Sequence, residues 1–83
     1  MKGLIEMYIN NMTINDMKHF LEKNNSKVCD KDLEIVLSYA KKYWERIYNG
    51  DTSIFEDIKK EISLESYETM INLYDKYKNY LDI

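Results

Sequence analysis

Apolar residues recur at helical spacing along five stretches of the chain, and the stretch from Asp30 to Tyr48 carries two such stripes. At 100° per residue, Leu33, Val36, Leu37, Ala40, Trp44 and Ile47 fall on one face. Ile35, Tyr39, Lys42 and Arg46 fall on the opposite face, at i, i+4, i+7 and i+11. A surface helix needs a single apolar stripe. The second must be covered by another element or used for a partner.

The remaining pattern predicts four more helices. Lys2–Asn11 places Leu4, Ile5, Tyr8 and Ile9 on one side, with Glu6 and Asn10 on the other. Thr13 followed by Asp16 reads as a capping box with the shorter acid, opening Ile14–Lys23. That helix aims Ile14, Met17 and Leu21 inward, with Phe20 at the edge. Asn24 to Lys27 is a polar linker. Cys29 or Asp30 caps the long third helix, whose positive end suits Asp30, Asp32 and Glu34. Asn49-Gly50 stops it. Ser53 and Glu56 form a second capping box, opening a short helix over Ile54–Ile62. Ser63 caps a fifth, Leu64–Leu81, whose apolar arc of about 200° exceeds the minimum for a surface helix. Leu73, Tyr77 and Tyr80 form its outer flank. The expected architecture is all-α: a compact single-domain bundle of about five helices over residues 1–83, with the third and fifth as the main pair.

Composition narrows this little. The chain has no Pro, two Gly and 45% hydrophobic residues, which suits an ordered helical domain. Eighty-three residues leave no room for a deep pocket and a full core together, so no small-molecule substrate is expected. Twelve basic and 15 acidic residues are interspersed, for a net charge of −3, the wrong sign for a general nucleic-acid binder. No apolar run is long enough to span a membrane, and no apolar signal core opens the chain, which points to the cytoplasm. Cys29 is the single cysteine, so no intrachain disulfide forms.

Catalytic patterns are missing. His19 has Asp16 and Glu22 at i−3 and i+3, but three residues on one helix rarely converge on a small ion. A solvated polar face explains them better, and no metal or cofactor is expected. Cys29 lacks a His at any catalytic spacing. Asp30, Asp32 and Glu34 are explained by the helix dipole. No Gly-rich phosphate loop or Ser-His-Asp set occurs, so the chain is not expected to be an enzyme.

The order of parts resembles the uncharacterised YqfT-like proteins of low-GC Gram-positive bacteria, over roughly Leu4 to Tyr80. The resemblance lies in Met12-Thr13-Ile14-Asn15-Asp16-Met17 opening a helix and in the Lys27–Ala40 connection. Thr52-Ser53-Ile54-Phe55 after a helix stop and Ile62-Ser63-Leu64-Glu65 before the closing helix complete it. The Tyr-rich third and fifth helices depart from that pattern. The resemblance implies a compact helical cytoplasmic protein and transfers no catalytic residue.

The functional expectation is a non-enzymatic protein-interaction module, with a protein partner or a second copy of itself as a homodimer. Tyr and Trp enrich interfaces because they combine apolar area with a polar tip. The expected partner-binding residues are Ile35, Tyr39, Lys42, Arg46, Leu73, Tyr77 and Tyr80. The alternative is nucleic acid on the third helix, where Lys41, Lys42 and Arg46 lie among Tyr39 and Tyr43, pairing charge neutralisation with base stacking. The Thr13–Ala40 segment also resembles the SAP-type DNA-binding module.

Overall fold

Thr13 shows why the chain folds where the pattern says it should. Its extended backbone (φ −114°, ψ 169°) stops one helix and starts the next. The Asp16 amide donates to Thr13 Oγ1 at 3.2 Å, and the Thr13 amide donates to Asp16 Oδ2 at 2.9 Å. Both halves of the predicted capping box are formed.

The computed structural model describes residues 2–77. Among them are five helices and no strand: α1 (Lys2–Asn10), α2 (Ile14–Lys23), α3 (Asp30–Tyr48), α4 (Ile54–Lys59) and α5 (Leu64–Tyr77). Tyr80 and Leu81, expected on the fifth helix, lie outside the described residues. The Cα radius of gyration is 12.1 Å, against about 11.8 Å for a compact chain of this length. The helices therefore form a bundle and not an open array.

Two helix ends share one device. After α2, Asn25 adopts a left-handed conformation (φ 55°), and the Ser26 amide reaches back to the Leu21 carbonyl at 2.9 Å. After α3, Gly50 does the same (φ 90°), with Asp51 bonded to the Arg46 carbonyl at 2.9 Å. These are the reversed bonds that satisfy orphan carbonyls at a helix end. Asn tolerates the left-handed region better than other non-Gly residues, which is how the polar linker turns without a glycine.

The Ser53 capping box does not form. Ser53 is already helical (φ −59°, ψ −28°) and makes no side-chain cap bond. Asp51 takes it instead: Asp51 Oδ1 accepts from the Ser53 amide at 3.0 Å and from its hydroxyl at 2.7 Å. An Asp bonding its own backbone two residues on is a strong local competitor. Helix α4 also ends at Lys59, earlier than expected. Tight three-residue bonds, such as Glu61 to the Ile58 carbonyl at 2.9 Å, carry the chain to a buried Ile62.

The core sits around α4. Ile54, Phe55, Ile58 and Ile62 form a buried cluster, with Leu21 and Leu33 buried nearby. Ile35, Val36, Tyr39, Tyr43 and Ile47 of α3 pack on that cluster from one side; Tyr67, Met70, Ile71 and Tyr74 of α5 pack on it too. Phe55 and Tyr74 meet edge-on at 5.0 Å. The second stripe of α3 therefore has its cover, and the cover is α4. Leu37, Ala40 and Trp44, expected at the centre of the core, are only half-buried and lie outside the cluster. The expected pairing of the third and fifth helices is also corrected. Helix α3 is the hub for α1, α2 and α4, while α5 joins chiefly through α4.

The N-terminal ends of α3 and α5 are tied by Asp32, which is 5% exposed. Its Oδ2 accepts from the Ser66 hydroxyl at 2.6 Å, the Ser63 hydroxyl at 3.1 Å and the Ser63 amide at 3.2 Å. Ser63 caps α5 as its sequence predicts, accepting from the Ser66 amide at 3.1 Å. Asp32 serves the dipole of its own helix and, unforeseen, the start of another.

Candidate partner-binding surface

Helix α1 is apolar on more than one side. Ile5 and Ile9, one turn apart, are half-buried, and the helix packs on α3. Leu4, Met7 and Tyr8 face away at 64%, 62% and 70% exposure, the first and last again one turn apart. Phe20 of α2 is a further exposed large apolar residue. Tyr8 and Phe20 both line a cavity of about 320 Å³ enclosed by α1, α2, α3 and α5. Two of the exposed apolar residues thus border the cavity, while Leu4, Met7 and Leu64, the last 62% exposed on α5, do not line it.

Met70 and Leu73 of α5 line the cavity together with Met12, Met17 and Leu21. The length argument against a pocket beside a full core is resolved at the core's expense. No large side chain among the described residues is below 2% exposure.

The expected partner residues fall into two separate places. Ile35 and Tyr39 are half-buried against the α4 cluster, and the Tyr39 hydroxyl donates to Glu61. That bond, with desolvation and the Glu61 charge behind it, pushes the Tyr39 pKa up to about 12. Leu73 lines the cavity. Tyr77 stacks at a tilt on Phe20, centroids 5.2 Å apart, and its hydroxyl donates to Asn24 Oδ1 at 2.9 Å. Lys76 donates to the same oxygen at 2.9 Å. These flanks are taken up inside the fold. Tyr80 lies outside the described residues.

The basic and aromatic face of α3 is also engaged internally. Lys42 and Arg46 lie over the Tyr43 ring, 5.3 and 5.5 Å from its centroid. Arg46 pairs with Asp51 at 3.2 Å and donates to Ser53 Oγ at 3.0 Å. The Ser53 bonds and Arg46 hold the Asp51 carboxyl below its ordinary range. Lys41 reaches the Asn10 carbonyl at 3.4 Å.

His19 is exposed, and Asp16, its supposed companion, is committed to the Thr13 cap. Among the described residues no group of three or more His, Cys, Asp or Glu is placed to hold a metal ion. Cys29 is an exposed free thiol at the entry to α3, so it fills no interior space. No helix of the described residues is long and apolar enough to cross a membrane.

Sequence reasoning missed Leu4, Met7 and Phe20 as surface residues. The signal was present in α1, where Leu4, Ile5, Met7, Tyr8 and Ile9 crowd nine positions and cannot share one narrow stripe. The chain matches no protein-family model, no curated protein and no solved structure.

Proposed function

We propose that the chain is a small non-enzymatic interaction module that associates with a second copy of itself through α1. The observation that carries this reading is the exposure of Leu4, Met7 and Tyr8 on a single helix, beside Phe20. Contiguous apolar exposure of that kind marks interaction sites more often than solvated surface. Two α1 helices packed antiparallel would set Leu4 of each copy against Tyr8 of the other. That is the self-complementary arrangement of a two-fold dimer. The YqfT-like resemblance is compatible with this reading and adds no activity to it.

Sedimentation equilibrium at tens of micromolar should show more than a monomer. Leu4→Glu combined with Tyr8→Glu should return the protein to monomer while shifting its own stability by no more than about 0.5 kcal/mol, the surface range. Tyr77→Glu should instead lower the melting temperature, because Tyr77 holds Asn24 and Phe20. A strict monomer throughout that concentration range overturns the proposal.

Nucleic acid on α3 has less behind it. A phosphate would compete with Asp51 for Arg46, and a base would have to displace two cations from Tyr43.

A further inference from the structure

We infer that the cavity between α1, α2, α3 and α5 is a binding site for a small, neutral, mainly hydrocarbon ligand. This goes beyond self-association and does not depend on it. At about 320 Å³ the cavity is of ligand size. Functional pockets begin near about 300 Å³, and engineered apolar cavities of about 150 Å³ already take up benzene.

The lining selects the class of filler. Its wall is dominated by Met12, Met17, Leu21, Val36, Met70 and Leu73. Three methionines give the wall an adaptable, polarizable surface that suits a flexible chain better than one rigid shape. No lysine, arginine or histidine lines it. The one ionisable carboxylate is that of Asp16, already accepting the Thr13 amide. The Ser66 hydroxyl donates to Asp32. A ligand anion would meet a like charge and no cation, so the site disfavours fatty-acid carboxylates and phosphates. Exposed Tyr8 and Phe20 flank the entrance.

The methionines are also the reporters. In protein labelled with ¹³C at the methionine methyls, 1-decanol should shift Met12, Met17 and Met70 saturably and leave Met7, which is outside the lining, unmoved. Decanoate, with the same chain length, should bind on the order of tenfold more weakly at neutral pH. Leu73→Trp should fill the space and abolish the saturable shifts. Thr69→Phe serves the same end should the first variant fail to fold, with helix content by circular dichroism as the check. Four results would overturn the site: no saturable shift, equal shifts at Met7, decanoate binding as tightly as decanol, or binding retained in a folded filled variant.

Discussion

Ile58→Ala is expected to cost roughly 2–5 kcal/mol, the usual range for truncating a buried isoleucine. Ile58 is 2% exposed at the centre of the α4 cluster, with α3 packed on one side and α5 on the other. A chain of this length holds only about 4–12 kcal/mol in total, so the variant should be largely unfolded at modest urea concentration. The measurement is the urea midpoint at constant slope. Leu37→Ala is the contrast. Helical spacing alone gives it the same 2–5 kcal/mol, but Leu37 is half-buried outside the cluster, and its cost should be clearly smaller. Equal costs, or an Ile58 effect below about 0.5 kcal/mol, would show that α4 is not the centre of the core.

Acid should destabilise the protein in part through Asp32. The Ser66 hydroxyl holds its carboxyl below the ordinary 3.8, with the Ser63 amide, Cys29 and the Ser63 hydroxyl adding to the effect against desolvation. A carboxylate whose folded pKa is depressed stabilises the fold fully above its unfolded value. That contribution disappears as pH falls through the folded value. The melting temperature should therefore be level with respect to this group above pH 3.8 and drop below it. Asp32→Asn should melt lower at neutral pH, since a neutral amide oxygen accepts the serine bonds more weakly than a carboxylate does. It should also lose much of the wild-type slope in the acid window. Asp51→Asn, whose partners are exposed, should change the profile less. An Asp32→Asn profile parallel to wild type from neutral pH to acid would remove Asp32 from this role.

Helix starts were legible where one residue decides them. Thr13 with Asp16, and Ser63 before Leu64, both form their caps. Ser53 has Asp51 two residues away, and the competition went to the carboxylate. Periodicity assigns angles around one helix but not the neighbour that each angle meets. It showed that the Ile35 and Tyr39 stripe needed a cover, but not that α4 would supply it. The same limit hid the cavity, because periodicity does not say which apolar positions of α2, α3 and α5 will line a space and which will pack. Leu4 and Tyr8 were visible as apolar residues and invisible as exposed ones, for nothing in α1 says which of its sides α3 will take.

The attachment of α1 has a kinetic side. Its packing is chiefly on α3, it carries no acid in its first turn, and three of its large apolar residues face outward. Helix α4 binds α3 and α5 into one cooperative unit, whereas α1 can detach by local opening at a fraction of the global free energy. Amide exchange should accordingly run through α1 well before the α3–α4–α5 unit, with Ile54 to Ile58 the slowest. Because Tyr8 and Met12 form one wall of the cavity, each such opening also uncovers its interior. Anything held there can then leave at least as fast as α1 detaches.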